Sequence, residues 1–272
     1  MMDIEEICSQ IWKKEIIKLP DQDYQEARNL SLKIAADLGA PLFYLQNYKE
    51  VARSQQLFDL ASMVRDCLGV VADYGDCYGH GLSHIRKVAV DAGAIILVEV
   101  NSAPLRVDTE RLVLLAHLAG LLHDIKRAEK DHARVGAREA SKILKNFALD
   151  NRECSAITQA IANHEAFQPA DQLDEPADQL LSDALYDADK FRWGPDNFTE
   201  TLWDMLAARR VPLAAVLPRF LTGLEGIRRI RETFRTSTGK VYGPDFIDRG
   251  LEIGKRFYKE ITPTGKEICR NN

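Results

Sequence analysis

Four histidines and one aspartate each stand at an end of an apolar helical stripe. His84 lies one turn ahead of Val88, Ala92 and Ile95, which recur at four- and three-residue steps. Leu112, Ala116 and Ala119 lead to His123, with Asp124 beside it, and His132 shares a face with Gly136, Ala140 and Ile143. Ile157, Ala160 and Ile161 lead to His164, and Leu181 and Leu185 point the same way as Asp189. Residues three and four apart share one side of a helix, so each of these polar groups is aimed at the interior. Burying a neutral polar group unpaired costs roughly 2–7 kcal/mol, and a carboxylate costs more. One such histidine is ordinarily a hydrogen-bonded core residue. Five helices ending this way are better explained by a shared partner, and imidazoles and carboxylates converging between helices make a transition-metal site.

The elements that must position them are helices almost throughout. Helical periodicity predicts helices over residues 3–18, 22–38, 50–72, 82–100, 106–123, 132–148, 151–164, 177–190, 197–208, 211–235 and 244–260. Pro20 and Asp21 separate the first two, Gly39–Pro41 end the second, Gly79–Gly81 precede the fourth, and Gly243-Pro244 opens the last. The acidic, proline-containing stretch Phe167–Pro176 is the best loop candidate. The fold expected is all-α, a multi-helix bundle. Thr238–Lys240 (T-G-K) lacks the rest of a phosphate-binding loop and reads as a turn between helices.

The ordered series H-x-x-x-V (His84–Val88), L-L-H-D-I (Leu121–Ile125), D-H-A-x-x-G-A (Asp131–Ala137), N-H-E (Asn163–Glu165) and D-A-D-K (Asp187–Lys190) resembles the HD-domain superfamily of metal-dependent phosphohydrolases. The resemblance covers residues 76–195, under half the chain. It implies an HD-domain bundle at 76–195; the N-terminal helices of 1–75 and the C-terminal helices of 196–272 carry no recognised motif and are expected to pack on that core in the same globular unit, to close the site or to form a dimer interface. It also implies one divalent ion held by His84, His123, Asp124 and Asp189. His80 is a rival for the first position, since G-H-G-L-S-H puts it one turn from His84. His84 is preferred because Val88 follows at the family's spacing, and His80 then lines the pocket. For the last position Asp189 is preferred to Asp187 and Asp183, which are expected on an opposite, solvent-side face.

His132 and His164 set the number of ions. Relatives with both can hold a second metal bridged by Asp124, whereas others use histidines near these places to contact phosphate. Here the Asp124–His132 segment is short, and Asn163 stands where cyclic-dinucleotide hydrolases of the family have another histidine. The implied chemistry is attack on phosphorus by water activated on the metal, since a bound ion brings the pKa of coordinated water near neutrality. Asp124 would orient that water or take its proton. Lys190 resembles a family lysine that contacts phosphate, and Arg127 and Lys126 are further candidates to grip it, Arg127 bidentately. Mixed nitrogen and oxygen donors suit Mn, Fe, Co, Ni or Zn better than Mg. His117 is read as backing the site or filling the core, and Trp193, Trp203 and Tyr242 as packing.

Absent motifs exclude sharper labels. No G-Y-P follows His164, no H-D-x-G-H follows His123, and no Glu-Asp pair follows His123-Asp124. These departures speak against cyclic-di-GMP phosphodiesterases, deoxynucleoside triphosphohydrolases and alarmone hydrolases respectively. The expected substrate is therefore a phosphomonoester or nucleotide phosphate. Two alternatives stand beside this reading: a mixed-valent di-iron oxygenase with the same ligand order, and a non-catalytic module that senses a nucleotide.

Composition bounds the setting. The net charge is −5, yet residues 201–272 carry 14 Lys+Arg against 8 Asp+Glu. A pI near 5.8 argues against nucleic-acid binding, and the mild basic C-terminal third favours small anions at most. The five cysteines are scattered with no C-x-x-C spacing, which fits a reducing compartment rather than a disulfide or zinc framework. No apolar signal core opens the chain, and no apolar run approaches the ~20 residues a bilayer requires. A cytoplasmic protein is expected, with a small phosphorylated substrate, no membrane partner and a homodimer allowed for.

Overall fold

The computed structural model describes residues 21–74, 81–103 and 105–262. The helix expected over 3–18 and His80 lie outside these residues. Among those described are twelve α-helices and one π-helical stretch, with no strand, so the molecule is all-α. In chain order the helices begin with α1 (Asp21–Leu38), α2 (Leu42–Gln46), α3 (Tyr48–Leu60), α4 (Ser62–Asp73), α5 (Leu82–Ser102) and α6 (Thr109–Leu122). They continue with α7 (His132–Leu144), α8 (Asn151–Ala162), α9 (Pro176–Phe191), α10 (Leu202–Ala208), α11 (Leu213–Ile230) and α12 (Ser237–Ile261), the π-helical stretch being Asn197–Thr201. No described helix is long and apolar enough to cross a membrane.

The described residues fall into two compact units. One comprises Leu42–Arg192 with Thr233–Gly243. Its centre is the pair α5 and α6: residues 88–96 are all buried, as are residues 112–122 apart from Leu114. A helix apolar on every side belongs inside a fold, which explains why α6 shows so little amphipathic contrast. Small residues let the two backbones touch, since a Cβ on Gly120 would come within 2.5 Å of the Ala89 Cα. The one charge in the α5 run, Asp91, is met by Arg192 and by the Tyr44 hydroxyl, which donates at 2.8 Å. At the start of α8, Asp150 and Glu153 form a reciprocal capping box. Arg111 donates to both Glu153 oxygens at 2.6 and 2.7 Å, tying the start of α6 to the start of α8.

The other unit takes the described residues 21–41, Trp193–Glu232 and 244–262. Trp203 and Phe257 lie with ring centroids 4.9 Å apart, and the Trp203 indole donates to the Phe198 carbonyl. Tyr24 donates to the Val211 carbonyl at 2.7 Å, and Arg28 pairs with Asp204. Trp203 is thus a packing residue, and so is Tyr242 of the first unit, whose ring meets Phe43 and whose hydroxyl donates to Gln46.

Several elements differ from the sequence expectation, among them the short α2 (Leu42–Gln46), where no helix is expected. The helix predicted over 50–72 is broken at Ala61, which is extended (φ −71°, ψ 118°). A continuous helix would put Phe58 and Val64 about 120° apart, on different sides; the break re-phases them, and both are buried. The last helix begins at Ser237 and carries Pro244 inside it, so Gly243-Pro244 does not open it. For the same reason Thr238–Lys240 is a first helical turn rather than a connection. Its start is fixed by tertiary contact: a Cβ on Gly239 would lie 2.0 Å from Asp187 Oδ2, and one on Gly243 would strike the Phe234 ring.

Candidate metal centre

Each ligand candidate sits where a helix starts or stops. His84 is in the first turn of α5, behind an extended N-cap at Gly81. His123 caps the C-terminus of α6, and Asp124 begins the tight turns that follow it. Asp131 takes the left-handed conformation (φ 57°) just ahead of α7, so that His132 becomes its first residue. His164 follows the C-cap of α8, and Asp189 lies in the last turn of α9. Chain ends of four helices plus one late turn of a fifth therefore meet at one place.

The side chains converge. His84 and His123 face one another with Nε2 atoms 3.3 Å apart. Asp189 Oδ1 lies 3.5 Å from the first and 3.7 Å from the second. The two oxygens of Asp124 look in different directions: Oδ2 is 3.4 Å from His123 Nε2 and 3.9 Å from His84 Nε2. Oδ1 is 3.5 Å from His164 Nε2 and 3.8 Å from His132 Nε2. His84, His123 and Asp189 form one buried group with metal-ligand spacing, and His123, Asp124 and His164 form another.

Backbone carbonyls decide which nitrogens are available. The Nδ1 of His123 donates to the Gly120 carbonyl at 2.8 Å, and that of His164 to the Ile161 carbonyl at 2.6 Å. In a neutral imidazole one nitrogen is a donor and the other a lone pair, so both Nε2 lone pairs are aimed at carboxylates. Lone pair facing anion is repulsive, and a cation between them removes the conflict. Donor types, burial and tautomers therefore fit a divalent transition ion at His84, His123, Asp124 and Asp189.

The charges are strongly coupled. Burial disfavours an imidazolium at His123, but Asp124 and Asp189 outweigh it and push its pKa up to about 10. Burial likewise opposes the carboxylate of Asp124, yet His123 and Arg127 hold it well below the ordinary value. Asp189 follows the same pattern, with Lys190 the main opposing charge. His132 is driven the other way: burial, then Arg127, lowers it to about 3. A proton on His123 and a metal ion are competing ways to answer the same two carboxylates.

Lys190 and Arg127 reach the cluster. The buried Lys190 ammonium lies 2.5 Å from Asp189 Oδ2, and Arg127 Nη1 donates to His132 Nε2 at 2.8 Å. Lys126 does not join them, its partners being Glu129 at 3.6 Å and the Tyr74 ring. His117 is fully buried against Ser54 and Phe58. The expectation for Asp187 is corrected. Far from facing solvent it is fully buried and accepts from the backbone N–H groups of Arg235 and Thr236 at 2.8 Å each and from the Thr236 hydroxyl at 2.7 Å. Asp183 is half-buried and borders a pocket.

Sequence reasoning missed Asn163 as a structural clamp. Its side chain exchanges two hydrogen bonds with the backbone of Asp171, at 2.9 and 3.0 Å, fixing the 165–175 loop beside His164. The adjacent N-H dipeptide was legible; its partner eight residues on, in a loop, leaves no periodic signal.

In comparison with known proteins, the family model of the HD domain matches residues 81–194. Among solved structures, a predicted HD superfamily hydrolase from an uncultured Thermotogales bacterium is similar, at 24% identity over 76% of this chain and 98% of that one, with a TM-score of 0.46. No curated protein matches.

Proposed function

We propose, on the premise that residues 81–194 are an HD domain, that the chain is a metal-dependent phosphohydrolase acting on a small phosphomonoester or nucleotide phosphate. The observation that carries this reading is the convergence of His84, His123, Asp124 and Asp189 around one buried point, with the tautomer of His123 fixed by the Gly120 carbonyl. These four side chains hold a divalent ion of the Mn, Fe, Co, Ni or Zn type. Bound there, the ion supplies Lewis acidity, which activates water and neutralises charge at phosphorus. Asp124 keeps Oδ2 toward the His84–His123 pair and offers Oδ1 on its other side, where it orients the attacking water and accepts its proton. Lys190 and Arg127 bring positive charge to the phosphate oxygens, the guanidinium through two parallel donors.

One ion is favoured over two. The Nε2 of His132 already accepts a hydrogen bond from Arg127, whose Nε lies 4.0 Å from Asp124 Oδ2, so a cation of the protein already engages a histidine that a second metal would need. The same contact weighs against the di-iron oxygenase alternative, which needs a second metal.

The test is metal analysis of freshly purified protein followed by assay, with the metal found, against phosphomonoesters, phosphodiesters and nucleotides. About one ion per chain and hydrolysis that falls by at least ~10³-fold in Asp124→Ala are expected. A metal-loaded protein with no turnover, or an Asp124→Ala variant as active as the parent, would overturn the reading.

A further inference from the structure

A pocket of about 360 Å³ lies in the unit that holds the candidate metal centre, bordered by Gln172, Gln179, Asp183, Phe234, Arg235 and Lys240. Its basic side is built in an unusual way. The Arg235 guanidinium lies over the Tyr186 ring, its central carbon 3.6 Å from the ring centroid. Its Nη1 is buried with no hydrogen-bond partner among the described residues. Burial works against this charge, and a buried guanidinium donor left unmatched is costly. The backbone around it is locked in place, since the Arg235 and Thr236 N–H groups both bind Asp187. The loop side is fixed as well: Gln179 Oε1 accepts from the Leu173 N–H at 2.9 Å, and Asn163 holds Asp171.

The pocket and the metal centre are aligned on one helix. Gln179, Asp183, Tyr186 and Lys190 follow one another at steps of four, three and four residues along α9, which places them on one face. The Lys190 ammonium lies 4.9 Å from the centroid of the same Tyr186 ring. With a rise of 1.5 Å per residue, Asp183 and the Asp189–Lys190 end are about 10 Å apart. Arg235 and Lys240 outnumber the single carboxylate that borders the pocket, Asp183, which already accepts a hydrogen bond from Gln179.

We propose that this pocket receives a second anionic group of the substrate, a phosphate or carboxylate about 10 Å from the phosphate being hydrolysed, with Arg235 as its principal contact and Lys240 assisting. The proposal rests on the phosphohydrolase reading and narrows its substrate class to small molecules with anions at both ends. A guanidinium with an unmatched in-plane donor suits an oxyanion, which accepts parallel N–H donors. Lys240, exposed at the rim, adds a point charge that steers the same group inward.

Phosphate esters of straight-chain diols supply the probes. Bisphosphates with two, four and six carbons between the phosphates are compared with hexyl phosphate, which has one anion only. The metal-loaded parent is expected to favour the six-carbon bisphosphate, and Arg235→Met to remove that preference by raising its KM roughly ten- to a hundredfold relative to hexyl phosphate. Lys240→Met, at an exposed position that does not endanger folding, is expected to act in the same direction by a smaller factor. Equal kcat/KM for all four esters, or an unchanged preference in both variants, overturns the proposal.

Calorimetry with hexane-1,6-bisphosphonate, hexylphosphonate and inorganic phosphate gives an answer that needs no turnover. Tighter, Arg235-dependent binding of the bisphosphonate supports the proposal even if nothing is hydrolysed, in which case the hydrolase reading alone falls. Arg235-dependent binding of inorganic phosphate with no advantage for the bisphosphonate means the pocket takes a free anion, and it overturns the substrate assignment.

Discussion

The ammonium of Lys190 is almost fully buried, between the carboxylate of Asp189 and the ring of Tyr186. A charge so enclosed is tolerated because both neighbours answer it, one by ion pairing and one by the electron-rich ring face. Phosphate contact and support of Asp189 are separable roles. Lys190→Met leaves His84, His123, Asp124 and Asp189 intact, so metal content is expected to be retained while kcat/KM for a phosphomonoester falls about ten- to a hundredfold. Metal analysis beside the kinetics checks this, and loss of the ion together with activity would make Lys190 a support of Asp189 instead. At this scale the sequence was legible wherever an apolar stripe led to a polar residue, as at His123 and Asp189. It was misleading at Asp187, because periodicity cannot distinguish a solvent face from a second buried face. The donors that bury Asp187 come from Arg235 and Thr236, 48 and 49 positions further on.

At the level of elements, α5 and α6 approach backbone to backbone near the site, and Gly120 makes this possible. Its neighbour there is backbone, with the Ala89 N, Cα and Cβ all within 3 Å of where a Cβ would stand. The same residue supplies the carbonyl that fixes the His123 tautomer. Gly120→Ala should therefore force the helices apart, outweighing the roughly 0.5–1 kcal/mol that alanine normally contributes over glycine within a helix. A net loss of about 1–3 kcal/mol is expected, measured by urea denaturation, with weaker metal binding in the same variant. Gly69 is the control: a Cβ there meets nothing within 4 Å, so Gly69→Ala should be neutral or stabilising. Helix existence was legible from 3.6-residue periodicity for the longer described helices, while the five-residue α2 (Leu42–Gln46) is too short to leave a periodic signal. The break at Ala61 was not, because neither proline nor glycine marks it and only the separate burial of Phe58 and Val64 requires it. Nor was the start of α12, where contact with Asp187 rather than local sequence sets the first turn.

For the whole molecule, the organising fact is a core that encloses ionisable groups under opposite demands, and His117 makes this measurable. Its Nε2 lies 3.0 Å from the Ser54 hydroxyl, which itself donates to the Val90 carbonyl at 2.7 Å, so the imidazole is the donor between them. Nδ1 has no partner among the described residues, and burial lowers the pKa from 6.5 to about 3. The unfolded chain takes up a proton at this residue below about pH 6.5, whereas the folded chain refuses it until about pH 3. The contribution to stability is thus intact above pH 6.5 and declines as the pH falls toward 3, by at most roughly 5 kcal/mol. Asp187 acts against this trend: burial raises it from 3.8 to about 7, so its contribution is complete at low pH and is lost as the pH rises toward 7. The raw stability profile therefore mixes both groups, while the difference between the parent and His117→Gln isolates one of them. Glutamine can still donate to Ser54 and does not titrate. Urea denaturation at several values from pH 4.5 to 7.5 is expected to show the parent losing stability faster than His117→Gln on acidification, with the gap opening below pH 6.5 and Asp187 cancelling from the comparison. Parallel profiles across that range would mean that His117 accepts its proton in the folded core, and that the apolar packing around α6 opens to water there.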